Sequence, residues 1–203
     1  MKRITLALTG ASGMAYGLRL LACLLKAGCR VDLLVSKAAR IVARQELDLT
    51  LPSGSDELAR YLREHLTSQA GELHVYGCEE WFAPVASGSN PADAMVVCPC
   101  TMGTLAAIAQ GSSDNLIERA ADVIIKERRP LILVPRETPF SLIHLRNMTA
   151  LAEAGATILP ANPGFYHRPI SVDAVVDYVV ARILDHLGIV HGLLPRWGED
   201  SPS

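Results

Sequence analysis

An excess of charge of either sign is missing from this 203-residue chain: 19 Lys and Arg stand against 21 Asp and Glu, a formal net charge of −2. A chain this close to neutral has no electrostatic footprint for nucleic acid or an anionic membrane. Long apolar runs are missing too, although half the residues are hydrophobic. No stretch approaches the roughly 20 residues needed to span a bilayer, so no membrane span is expected. Met1-Lys2-Arg3 followed by an apolar run resembles the start of a signal peptide. The run ends after five residues, at Thr9 and Gly10, and reads instead as a first strand. Cys23, Cys29, Cys78, Cys98 and Cys100 make an odd set with no regular framework. That fits a reducing compartment, and a cytoplasmic location is expected. Cys98-Pro-Cys100 has no second pair and no His at ligand spacing, so no metal site is expected. Cys100 reads either as a nucleophile or as a small buried thiol. Internal repeats, low-complexity segments and interdomain linkers are also absent. The length suits one domain over 1–190 with a tail over 191–203.

What the chain does have is alternation. Strand-like stretches at 4–9, 30–35, 74–76, 94–98, 131–134 and 156–159 alternate with helical ones. The helical stretches fall at 16–27, 37–45, 56–68, 105–109, 115–127, 140–154 and 172–187. Gly28 and Gly155 close two of the helices, Pro130 stops another, and 49–54 reads as a loop. The pattern predicts an α/β fold, a Rossmann-like three-layer sandwich. Its central sheet is mostly parallel, with helices on both faces. The unbroken apolar runs at 95–98 and 131–134 suit strands buried on both sides.

In such a sheet, ligands bind at the carboxyl ends of the strands. The first of these ends is Thr9-Gly10-Ala11-Ser12-Gly13, whose small residues let backbone amides approach a phosphate at a helix N-terminus. The spacing of Gly10, Gly13 and Gly17 is not that of a dinucleotide fingerprint. The second strand ends in Ser36-Lys37, where an NAD enzyme would want an acid. A mononucleotide, FMN, is therefore the preferred ligand, with a plain tight turn as the alternative. The fourth strand runs into Cys98-Pro-Cys-Thr101-Met102-Gly-Thr104, again small and hydroxyl residues before a helix. Upstream, Trp81 precedes a loop containing Ser87, of the kind that forms lids or binding loops. Trp81 either plugs the core or faces a ligand. Gly10, Ala11, Ser12, Gly13, Ser36, Ser87, Thr101, Met102 and Thr104 are the candidate flavin contacts. The stretch 115–139 is the most pointed. A helix ending in cations meets Pro130, and a short strand then delivers Arg136 and Glu137 to the ligand edge. This suggests phosphate handling beside a proton donor; the alternative is a solvated helix end with a chance charge pair.

These motifs resemble those of the UbiX-type flavin prenyltransferases, formerly taken for aromatic acid decarboxylases. The resemblance rests on Thr9-Gly-Ala-Ser-Gly13, Ser36-Lys37, Cys98-Pro-Cys-Thr-Met102, Arg119-Ala-Ala-Asp122 and Lys126-Glu-Arg-Arg-Pro130. It extends to Arg136-Glu137-x-Pro139, Ile143-His-Leu145, Asn147-Met148 and Pro163-Gly-Phe-Tyr166, and covers residues 3–198. It implies a protein that binds reduced FMN and attaches to its N5 and C6 a dimethylallyl group from dimethylallyl monophosphate. The prenylated FMN would serve a UbiD-type decarboxylase, in ubiquinone synthesis or in aromatic acid breakdown. By the same resemblance, Arg119, Lys126, Tyr166 and Arg182 bind the donor phosphate, and Arg119 also meets the flavin. Ser12, Glu46, Trp81 and Glu137 carry the chemistry. Glu137 protonates the departing phosphate and then moves a proton from the ring, while Ser12 and Glu46 surround the flavin N5. A homo-oligomer, a dodecamer in the family, brings these groups together from neighbouring subunits. His144 falls at a matching position, with a structural role as the alternative. Met14 departs from the pattern, at the expected mouth of the phosphate turn.

The residue types suit that chemistry in their own right. A leaving phosphate needs cations and hydroxyls, and an allylic cation needs an electron-rich face such as Trp81. No paired-Asp motif is present to hold magnesium, which is consistent with a metal-independent reaction. Three other classes compete. FMN-dependent decarboxylases of peptidyl or pantothenoyl cysteine carry Pro-Ala-Ser-Ala-Asn-Thr and Pro-x-Met-Asn where this chain has 98–104 and Pro135-Arg-Glu-Thr138. A flavin-binding protein without catalysis would not need the polar positions retained here. A short-chain dehydrogenase would need a Tyr-x-x-x-Lys pair, which is absent.

Overall fold

The structure, a computed structural model, describes residues 1–66 and 70–195. Its strands are β1 (Arg3–Leu8), β2 (Arg30–Val35), β3 (Glu72–Tyr76), β4 (Ala94–Cys100), β5 (Leu131–Pro135) and β6 (Thr157–Ile158). The helices are α1 (Met14–Lys26), α2 (Lys37–Leu47), α3 (Ser55–His65), α4 (Met102–Ala109), α5 (Leu116–Lys126), α6 (Leu142–Glu153) and α7 (Val172–His186), with a 3-10 turn at Pro84–Ala86. The sheet order is β3-β2-β1-β4-β5-β6, and each neighbouring pair is parallel. The chain builds outward from β1 in one direction and then, through β4, in the other. That reversal makes the carboxyl ends of β1 and β4 the topological switch point, where such sheets bind ligands.

Two apolar layers sandwich the sheet. Side chains alternate along a strand, so Ile4, Leu6 and Leu8 of β1 pack with α1, α2, α3 and α7. Ala7 faces the other way, into the layer built by α4, α5 and α6. Both faces of β1, β4 and β5 are therefore covered, which is why these strands read as continuous apolar runs. Full burial of each Leu or Ile contributes about 1.5–3 kcal/mol.

Capping explains where element ends differ from the sequence expectation. The first helix starts at Met14 rather than 16, because Gly13 adopts φ 110°, a conformation open to glycine and strained for other residues. Met14 is its first residue, and its side chain is fully buried. It points into the core and not into the mouth of the turn, which corrects the sequence reading. Gly17 lets α1 lie on β4: an added Cβ would sit 2.5 Å from the Cys98 carbonyl. Thr101 caps α4, which starts at Met102, three residues before the expected start. Ser141 caps α6 after Pro139, delaying that helix to Leu142. β3 begins two residues early, at Glu72, and β4 continues to Cys100 through a register shift after Val97. β6 shrinks to two residues before Pro160. The helix expected to reach Ser68 ends at His65; Ser68 and Trp197 lie outside the described residues. Among the described residues, no helix is long and apolar enough to cross a membrane.

Candidate functional site

Three helix N-termini meet the switch point: α1 after Gly13, α2 after its cap Ser36, and α4 after its cap Thr101. Each brings the positive end of its dipole to the carboxyl edge of the sheet. Ser36 Oγ accepts from Ala39 N at 3.0 Å, and Ser36 N donates to Leu8 O at 3.0 Å. Thr101 Oγ1 accepts from Thr104 N at 3.1 Å and donates to Thr104 Oγ1 at 2.9 Å. The Met102 side chain is buried in the core, so this residue offers only its backbone to the edge. Ala11 is buried, and Gly10 packs so close to Ala38 that a side chain would overlap its methyl. The buried Thr9 ties the two turns together. Its hydroxyl donates to Pro99 O at 2.7 Å and accepts from Thr101 N at 2.9 Å. Sequence reasoning gave Thr9 no such part. A small hydroxyl at a strand end was the only sign, because its partners lie some ninety positions away.

Glu46 sits in the last turn of α2, which runs to Leu47, two residues past its expected end. Its carboxylate accepts from Gly13 N at 3.0 and 3.1 Å and from Met14 N at 2.9 Å. The α1 N-terminus, expected to face a phosphate, thus already holds an anion. Burial is the largest single influence on Glu46 and acts to raise its pKa. The Ser12 hydroxyl, the Met14 and Gly13 amides and the charge of Arg136 together outweigh it, and the carboxyl is held below its ordinary value. Ser12, Glu46 and Arg136 therefore form one cluster drawn from the ends of β1, α2 and β5. Sequence reasoning had set Arg136 only beside Glu137. Glu137 follows at half burial, with Oε1 accepting from Thr138 N at 3.1 Å.

The cations expected at the phosphate divide into two groups. On α5, Arg119 donates from Nε to Ala86 O at 3.0 Å and pairs with Asp122 at 2.7 Å. Lys126 lies seven residues on, on the same helix face and about 10 Å along the axis, paired with Glu127 at 2.6 Å. Ser87 lies on the segment between them, its hydroxyl 2.9 Å from that of Ser89. Tyr166 is exposed in the loop after β6. Arg182, on α7, pairs with Asp185 at 2.6 Å. It lines a cleft of about 800 Å³ on that helix, along with His167, Tyr178 and His191. This cleft is not at the strand ends. Helix α5 packs on one face of the sheet and α7 on the other, so Arg119 and Lys126 stand on one side of it and Arg182 on the other.

Trp81 is 43% exposed, which removes the core-plug alternative, and its neighbour Phe82 is fully exposed. His144 takes the structural role: Nδ1 accepts from Ser141 N in a capping box at the start of α6. Cys98 and Cys100 are fully buried. Burial pushes the Cys98 thiol up, with the nearby Cys100 adding to it, and pushes Cys100 up to about 12. Both stay protonated at neutral pH, which leaves Cys100 as a buried thiol. Among the described residues, no three His, Cys, Asp or Glu side chains gather as a metal-ligand group.

The chain matches the Flavoprotein family over residues 1–193. It is 58% identical over 198 residues to the flavin prenyltransferase UbiX of Pseudomonas aeruginosa, an alignment covering 98% of this chain and 95% of that protein. Its structure resembles that of AnUbiX (PadA1), solved in complex with FMN and dimethylallyl pyrophosphate. The TM-score is 0.87 at 40% identity, over 98% of this chain and 99% of that one. It also resembles a dodecameric FMN-dependent UbiX-like decarboxylase from Escherichia coli O157:H7, with a TM-score of 0.83 at 38% identity, over 96% and 98% of the two chains. With the switch-point turns and the Ser12–Glu46–Arg136 cluster in place, the chain belongs to the flavoprotein family and, within it, to the UbiX-type flavin prenyltransferases.

Proposed function

We propose that this chain transfers a dimethylallyl group from dimethylallyl monophosphate to N5 and C6 of reduced FMN, without a metal ion. The product would pass to a UbiD-type decarboxylase, in ubiquinone synthesis or in aromatic acid breakdown. The cluster of Ser12, Glu46 and Arg136 at the strand ends, with Glu137 next in the chain, is the observation that carries this reading. The residues present fit FMN: the α2 and α4 N-termini with their capping hydroxyls suit a phosphate, and the close-packed Gly10–Gly13 turn suits a flat ring. Ser36, Thr101 and Thr104 would hold the flavin, with the Met102 backbone, Ala11, Ser87 and Arg119. Reduced FMN supplies the nucleophilic ring atoms. Ser12 hydrogen-bonds Glu46; if its one proton goes there, its oxygen is left to accept from a ring N–H. Glu137 is the acid for the departing phosphate and then the base that takes a ring proton. Trp81 faces the allylic cation.

Arg119, Lys126 and Arg182 neutralise the phosphate, the task magnesium performs where acidic pairs hold it, and the Tyr166 hydroxyl donates to it. A set of single cations suits the monophosphate, although the structure of AnUbiX (PadA1) contains the pyrophosphate. The placement of α5 and α7 on opposite faces supports a site completed by neighbouring copies. We therefore propose a homo-oligomer, a dodecamer like the Escherichia coli relative. Exposed Phe82, Leu142, Ile143, Phe165, Ile170 and Val172 support such packing.

The test is a mass spectrum of the flavin after anaerobic incubation of protein, reduced FMN and dimethylallyl monophosphate. A gain of one five-carbon prenyl unit is expected. Unchanged flavin that nevertheless stays bound would replace this reading with that of a non-catalytic flavin protein.

A further inference from the structure

At the amino edge of the sheet, away from the strand ends, lies a wholly buried carboxylate. Asp32 on β2 is paired with Arg3 of β1 and with Arg30 at 3.3 Å. A buried charge persists only when paired and hydrogen-bonded, so Asp32 fixes the Arg3 guanidinium in place. Arg3 then reaches outward. Its Nη1 donates to Asn90 O at 3.1 Å and to Asn90 Oδ1 at 2.6 Å. Its main chain grips Asp93 both ways: Arg3 N donates to Oδ2 at 2.8 Å, and Arg3 O accepts from Asp93 N at 2.9 Å. Its Nη2 is buried with no hydrogen-bond partner among the described residues. The guanidinium therefore sits where Asp32 and Asn90 require it, not where all its own donors are satisfied.

Asn90 closes a tight turn. Its N–H donates to Ser87 O at 3.2 Å, and Ser89 N donates to Ser87 Oγ at 3.3 Å. The other side of the turn abuts α5. Gly88 lies so close to that helix that an added Cβ would overlap Lys126 Nζ and Glu127 Oε1. Two residues before it, Ala86 O accepts from Arg119 Nε. The turn is thus a wedge between Arg3 and the two cations of α5.

We propose that Arg3 and Asn90 are positioning residues for the prenyl donor's phosphate. They hold the 87–90 turn, and the turn, through Gly88, sets the place of the Lys126 ammonium. This rests on the reading that Lys126 binds that phosphate. Arg3→Met would strand Asp32 and risks unfolding, so the informative variants are Asn90→Ala, Gly88→Ala and Arg3→Lys. Arg3→Lys keeps a charge for Asp32 but cannot span to Asn90 as well. Steady-state kinetics with reduced FMN and dimethylallyl monophosphate would be run alongside flavin affinity and Tm. Each variant is expected to raise KM for the phosphate about three- to tenfold, the size of one lost hydrogen bond. Unchanged kcat is expected, as befits lost uniform binding, with only the small fall in Tm that one lost hydrogen bond brings. In a Lys126→Met background the same changes should add nothing. If Lys126→Met raises KM while the three variants leave it alone, or if their effects add in full to that of Lys126→Met, the positioning role is overturned and the phosphate reading stands. If Lys126→Met leaves KM unchanged, the phosphate reading fails and takes the positioning role with it.

Discussion

Glu46 and Glu137 are two carboxylates at one sheet edge with different surroundings. Hydrogen bonds from Ser12, Gly13 and Met14 hold Glu46 ionised. A carboxyl whose pKa is lowered on folding stabilises the fold above its unfolded value and loses that contribution as pH falls through the folded one. Glu46→Gln should therefore melt below the wild type at neutral pH, and the gap should close below about pH 4. A gap that stays constant with pH would assign the effect to shape and not to charge. Glu137 accepts from the Thr138 amide alone among the described residues. Glu137→Gln should bind FMN normally and slow prenylation by about 10²–10⁴ in single-turnover flavin spectra, the usual size of a general acid–base contribution. Wild-type turnover in this variant would make Glu137 a structural partner of Arg136.

At the level of elements, the seat of α1 on β4 is a tight joint. Gly17→Ala would drive a methyl into the Cys98 carbonyl and the Leu8 side chain. The expected cost is about 1–3 kcal/mol, as for other overpacked contacts, read from the urea midpoint. A midpoint unchanged from wild type would mean that α1 can slide. The strands at 95–98 and 131–134 were legible in the sequence because burial on both sides leaves them no polar positions. The starts of α1, α4 and α6 were less so. Gly13, Thr101 and Ser141 set those boundaries through backbone angles and single hydroxyl bonds, which leave no periodic trace. The Arg-Glu pair after β5 stood out as charge at the end of an apolar strand. Thr9 and Arg3 did not, because their partners, Pro99 for one and Asn90 and Asp93 for the other, lie about ninety residues away. Glu46 was legible only through family resemblance, since an acid near a helix end is ordinarily solvent-facing.

For the whole molecule, the division of cations between the two sheet faces makes a direct prediction. Arg119→Ala and Arg182→Ala assemblies should each be nearly inactive, and unfolding and refolding them together should restore part of the activity. Sites that receive both intact residues from different copies would work again. No recovery in mixtures shown by light scattering to be co-assembled would overturn the proposed sharing. The proposed sharing would also tie ligand to assembly. A phosphate gripped by α5 of one copy and α7 of another belongs to neither chain alone. Each bound donor would then act as a rivet, and occupancy and association would strengthen one another by mass action. Diluted protein should hold together to lower concentrations with inorganic phosphate present than without it. An inhibitor that mimics the donor would, by the same linkage, tighten the particle it disables.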